Sequence, residues 1–271
     1  MPEELIKDKS HIERIPLYIE GLDDQMEGGI PAGQITLVCG TAGTMKSSLS
    51  FNVLYNEVLN GKTALYITLE QSAVSLLNHM TNMGFDSSKV NILLIKNLSD
   101  IEQKLSMAKG KGTLVLADIA VIRKEIKSAD TRIGPTGDWI NVLKNIVRKM
   151  KEHGQLDLFT LDSLSALYVI SKFDNPRTEL FYYYEFLRDL DITTFLISEM
   201  PLDKSRYGEY GVEDFLADGV IRLELVERQR KTNREITVIK MRKTAVNNDV
   251  FTLEWAGRKF KALYGGQPAL I

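Results

Sequence analysis

The chain has 271 residues, 44% of them hydrophobic and 26% charged, enough for one large core or two small ones. A formal net charge of −2 gives no global field to recruit nucleic acid or an anionic membrane, so any basic patch must be local. One cysteine and three scattered histidines exclude a disulfide framework and a histidine-built metal cluster, and no apolar run is long enough to span a bilayer. The expectation is a soluble protein of a reducing cytoplasm with no membrane partner.

In chain order, residues 1–13 read as a polar leader and 14–271 as a single domain. Residues 21–33 are turn-rich, with Gly28-Gly29 and Pro31. Residues 34–39 form an apolar, β-prone run, and Lys46-Ser47-Ser48 opens a helical pattern through Phe51, Val53 and Leu54. Further buried strands are expected at 63–69, 90–95, 113–117, 156–161 and 192–197. Helices are expected up to Met83, capped by Gly84, and over 178–190. Residues 119–152 read as a charged helical stretch broken at Gly134-Pro135. The aromatic cluster 182–184 reads as packing rather than a base-stacking platform. From 218 onward the texture changes. Segments 220–226, 235–241, 250–255 and 259–263 alternate apolar and polar, joined by the turn-like KTN, VNND and AGRK. The fold class is therefore α/β, a mostly parallel sheet with helices on both faces and an antiparallel C-terminal extension.

Between the first strong strand and its helix lies Gly40-Thr41-Ala42-Gly43-Thr44-Met45-Lys46-Ser47-Ser48. This matches the phosphate-binding pattern GxxxxGK[ST] at every fixed position except Met45, which stands where glycine is expected. Backbone N–H groups of such a loop converge on phosphate oxygens, and the helix N-terminus adds partial positive charge. Lys46 would meet the β- and γ-phosphates, and Ser47 would donate one oxygen to Mg²⁺. A Cβ at position 45 restricts the backbone there.

Three other groups fit a phosphate chemistry, each with a plainer alternative. Asp162 closes an apolar strand and would help hold Mg²⁺, or simply N-cap the next helix. Glu70 closes the strand after the loop's helix and would polarise an attacking water, or be another helix-start carboxylate. Lys240 and Arg242 share one strand face. They would stabilise transferring phosphate charge on a neighbouring subunit, or be a solvent-facing pair on an edge strand.

Four blocks in order resemble the KaiC family within the RecA superfamily of ATPases. They are GLDDQMEGGIPAGQITLVCGTAGTMKSS, LDSLSAL at 161–167, SRYGEYGVEDFLADGVIRL at 205–223 and ITVIKMRKT at 236–244. The resemblance covers roughly 14–265 and is close to one KaiC repeat. It implies a RecA-like P-loop core that binds ATP with Mg²⁺ between subunits, commonly in a hexameric ring. Lys240 and Arg242 would then reach the γ-phosphate held by the neighbour, and Ser198-Glu199 matches the region that senses that phosphate. Family members often carry two adjacent glutamates where this chain has Glu70-Gln71. That departure and Met45 both lie in or beside the phosphate site and predict slow hydrolysis. The resulting expectation is an ATP-binding, ring-forming regulatory switch that signals its nucleotide state to an unknown protein partner. No phosphorylation site can be carried over. Two alternatives stay open at this point. One is a recombinase-type, DNA-binding accessory ATPase, supported by the basic residues Arg228, Arg230, Lys231 and Arg234, with Lys243, Arg258 and Lys259 further on. The other is a nucleotide-binding scaffold without turnover.

Overall fold

The computed structural model describes residues 12–97, 101–107, 112–118, 120–121, 123, 139–154, 156–171, 173–228 and 230–264. Most of the expected leader and much of the stretch before Trp139, including Gly134-Pro135, lie outside these residues. The strands are β1 (Arg14–Ile15), β2 (Ile19–Glu20), β3 (Ile30–Pro31), β4 (Ile35–Gly40), β5 (Thr63–Thr68), β6 (Asn91–Leu94), β7 (Thr113–Asp118), β8 (Leu158–Asp162), β9 (Thr193–Glu199), β10 (Gly219–Arg228), β11 (Lys231–Met241), β12 (Phe251–Ala256) and β13 (Lys259–Tyr264). The helices are α1 (Lys46–Leu59), α2 (Ala73–Met83), α3 (Ile101–Met107), α4 (Trp139–Gly154), α5 (Leu164–Ile170), α6 (Pro176–Asp189) and α7 (Glu213–Leu216). Among the described residues no helix is long and apolar enough to cross a membrane.

One sheet of eleven strands runs in the order β2-β13-β12-β11-β10-β4-β9-β8-β5-β7-β6. From β10 through β4 to β6 every neighbouring pair is parallel. These strands are covered on both faces, which is why β4, β5, β7 and β8 are near-continuous apolar runs. Two hydrophobic clusters divide between the faces. One gathers α4, α5 and α6, and the other gathers α1 and α2. Beyond β10 the sheet turns antiparallel through β11, β12 and β13, as the period-two pattern requires.

Three details differ from the sequence expectation. KTN is not a turn: Lys231 already pairs with Arg228, so all three of its residues lie in β11, with Arg230 just before it at φ 65°. Asp162 is followed at once by the short helix α5, N-capped by Ser163, before the longer α6 begins. The entry segment does more than turn. β2 adds in parallel to β13 at the sheet edge, and Asn52 of α1 donates to the Leu17 carbonyl. This cover leaves α1 buried over most of its length. Of the aromatic cluster, Tyr183 and Tyr184 are packed inside and Tyr182 faces outward.

Candidate functional site

Parallel strands bring their carboxyl ends to one edge of the sheet, where ligands bind in α/β folds. Here β4, β9, β8 and β5 are consecutive, so Gly40, Glu199, Asp162 and the Glu70 that follows β5 arrive together. The chain leaves β4 at Gly40, turns through Thr41–Met45 and enters α1 at Lys46. No side chain caps that helix start, so its first N–H groups face the loop's concavity. A cavity of about 510 Å³ opens there, lined by residues 42–48 with Glu70, Asp162 and Glu199.

Gly40 must be glycine, since a Cβ would meet the Leu223 carbonyl oxygen of the adjacent strand at 2.2 Å. Gly43 and Met45 both take positive φ, 79° and 73°. Met45 thus adopts the left-handed conformation that glycine would supply freely, at a cost of roughly 1–2 kcal/mol. Its side chain packs against the α1 cluster with Met83 and Trp255, which also line the cavity. The loop's backbone shape therefore survives the substitution.

Lys46 is 6% exposed, and its ammonium is fully engaged. It donates to the Gly40 carbonyl at 3.0 Å, the Thr41 carbonyl at 2.9 Å and Glu199 Oε1 at 2.7 Å. An ammonium has three donors, and all three are used. Asp162 is buried and accepts from the Tyr66 hydroxyl at 2.6 Å. Burial pushes its carboxyl up, while the hydrogen bond from Tyr66 and the nearby Ser47 hydroxyl pull it back toward the charged form. The Ser47 hydroxyl and the Asp162 carboxylate thus form an adjacent pair of hard oxygen donors, the kind Mg²⁺ takes. Glu70 accepts from the Ser163 hydroxyl at 2.5 Å, and that hydroxyl accepts in turn from the Ala166 N–H at the start of α5. Gln71 also lines the cavity, and its side-chain oxygen accepts from Ser75 on α2.

Lys240 and Arg242 are not in this cavity. Lys240 donates to the Asp214 carbonyl at 3.0 Å and the Ala217 carbonyl at 2.7 Å, closing the end of α7. Partial burial and the neighbouring Arg242 lower its pKa. Arg242 donates to Asp218 at 2.8 Å, and Asp218 also accepts from the Ile35 N–H. The pair therefore braces residues 214–218, apart from the chain's own loop.

Glu199, which the resemblance assigned to the region that senses the γ-phosphate, sits in this cavity against Lys46. Arg234, grouped by sequence with a basic hairpin cluster, donates to the Gly43 carbonyl at 3.4 Å and lines the cavity. Of the other cations in that grouping, Lys259 pairs with Glu20 and Arg258 lies beside Gly84 in a different cavity.

The family model described as "ATPase: KaiC" matches residues 15–259. A circadian clock oscillator protein KaiC from Prochlorococcus marinus subsp. pastoris is 28% identical over 240 residues, 87% of this chain and 42% of that protein. The chain thus spans less than half the length of that relative. A UPF0273 protein from Thermotoga maritima is 29% identical over 237 residues, 86% of this chain and 89% of its own length. Among solved structures, a KaiC-like protein from Pyrococcus horikoshii OT3 superposes with a TM-score of 0.69 at 21% identity, covering 93% of this chain and 99% of that one. With the family model spanning nearly all of the described fold, the chain belongs to the KaiC family of ATPases.

Proposed function

We propose that residues 14–271 act as one KaiC-type unit that binds Mg·ATP at the Gly40–Ser48 loop and hydrolyses it slowly. The observation that carries this reading is the convergence of an uncapped helix start, Lys46, the Ser47–Asp162 pair and Glu70 on one cavity of about 510 Å³. Among the described residues no group of three His, Cys, Asp or Glu is placed to hold a metal by itself, so the ion would arrive with the phosphates. Ser47 and Asp162 would hold the Mg²⁺, which when bound would supply positive charge to the β- and γ-phosphate oxygens.

The chain's own groups supply the rest. Loop N–H groups and the start of α1 would hold the phosphates. To meet them, Lys46 must give up at least one present acceptor, and Glu199 is the one on a half-exposed, movable side chain. Arg234 stands over the loop, positioned to add charge from the same chain. Met83, Trp255 and His79 form the wall away from the phosphates, where a base would lie. Glu70, oriented by Ser163, would polarise the attacking water. With glutamine rather than a second glutamate at position 71, Glu70 has no adjacent carboxylate to share that work, which supports slow turnover. Lys240 and Arg242 would act on the nucleotide of a neighbouring copy in a ring. The order of residues 214–218, which they brace, would then depend on nucleotide state, as a regulatory switch needs.

The test is phosphate release from Mg·ATP by the wild type and Lys46→Ala, with oligomer mass recorded with and without ATP. Turnover lost in Lys46→Ala, together with ATP-dependent rings, supports the full reading. ATP-dependent assembly without turnover reduces it to a nucleotide-gated scaffold. No ATP binding at all overturns it.

A further inference from the structure

Tyr66 lies in the middle of β5, opposite Thr160 of β8 and two residues before the Thr68–Asp162 pair at the strand ends. Residues two apart on a strand share a face, so Tyr66 and Asp162 both face α1, and the Tyr66 ring packs against Phe51 of that helix at 6.1 Å. From this position the phenol reaches along the sheet to donate to Asp162 Oδ2 at 2.6 Å. Tyr66 is fully buried and Asp162 is 2% exposed. Ser47, the second residue of α1, lies close to both groups.

We propose that Tyr66 is a positioning residue for the metal site, its hydroxyl fixing the Asp162 carboxylate and the adjacent Ser47 in the arrangement that Mg·ATP needs. This rests on the Mg·ATP reading above. A carboxylate's terminal torsion is broad and two-fold, so an unanchored Asp162 would sample orientations that turn its free oxygen away from Ser47. Anchoring Oδ2 removes that freedom before the ion arrives and leaves the other carboxylate oxygen for the metal site. Phenylalanine would fill the same space against Phe51, so packing alone does not call for the hydroxyl. Partners that orient metal-site groups in this way change metal affinity by roughly 10–100-fold when removed.

The experiment is calorimetric titration of the full chain with ATP, in excess EDTA and in excess Mg²⁺, for wild type, Tyr66→Phe, Asp162→Asn and the double variant. The wild type is expected to bind ATP more tightly with Mg²⁺. Tyr66→Phe should lose roughly tenfold of that enhancement while keeping its affinity in EDTA. On an Asp162→Asn background it should have no further effect, because Tyr66 acts through that carboxylate. Full Mg²⁺ enhancement in Tyr66→Phe, with only a lower melting temperature, would overturn the positioning role and leave Mg·ATP binding standing. Wild-type binding that ignores Mg²⁺ would instead overturn the Mg·ATP reading, and this inference with it. If Tyr66→Phe does not fold, 3-fluorotyrosine at position 66 keeps the shape and strengthens the donor. A shift in the enhancement supports the role, and an unchanged one refutes it.

Discussion

Lys46 and Lys240 are both ammonium groups satisfied by backbone carbonyls, at 40 and 41 for one and at 214 and 217 for the other. Their settings differ in what lies beyond those carbonyls. Lys46 faces a cavity that its own chain surrounds with a helix start, a loop glycine and three carboxylates. Lys240 and Arg242 brace the α7 segment and line no cavity with the loop. The first arrangement needs only a ligand. The second has a job in the isolated chain and, in our reading, takes up another when a second copy brings its phosphates near.

That division is open to attack. Largest of the expected effects is on turnover: Arg242→Ala should reduce phosphate release about 1,000-fold, the scale of a lost arginine finger, while ATP affinity stays within about twofold. Affinity falling as far as turnover would mean that the two cationic sites are one. Next, Lys46→Ala should weaken ATP binding roughly 10–100-fold, the worth of one or two charge-assisted hydrogen bonds. Smaller and opposite in sign, Glu199→Gln should tighten binding by about 5–10-fold. The amide removes a negative charge from the phosphate path and holds Lys46 less firmly. Weaker binding in that variant would show Glu199 to be a ligand of the nucleotide complex rather than an occupant that it displaces. Last, Met45→Gly should relieve about 1–2 kcal/mol of left-handed strain and lose about 0.5–1 kcal/mol to unfolded-chain entropy. Denaturant midpoints should therefore rise only slightly. Phosphate release should rise too if the methionine is a brake, and an unchanged rate would show the loop adapted to it.

How much of this was legible follows from which contacts are local. Residues 40–48 could be read directly, because a strand, a small-residue turn and a helix start are consecutive in the chain. Asp162 and Glu70 were readable because ending a parallel strand fixes the edge of the sheet a side chain reaches. Contacts that depend on strand order were not readable. Glu199 meets Lys46 only because β9 is seated beside β4. Tyr66 meets Asp162 only because β5 is seated beside β8. Arg234 looked like any cation on a hairpin until the β10–β11 pair was laid against β4, beside the loop. The KTN turn was misplaced for a local reason, since an arginine rather than a glycine supplies the positive φ at 230.

The seating of β4 also bears on how the chain reaches its fold during synthesis. Its two neighbours, β9 and β10, begin at Thr193 and Gly219, so the strand that carries the loop can gain neither ladder until most of the chain has emerged. Until then an apolar run, Ile35–Gly40, has both edges unpaired, which is a template for pairing with other chains. Contacts so distant in sequence are slow to form. Nascent chains released before Gly219 should therefore be recovered in aggregates. Two strands made late in synthesis, β9 and β10, are what give the first strong strand its place.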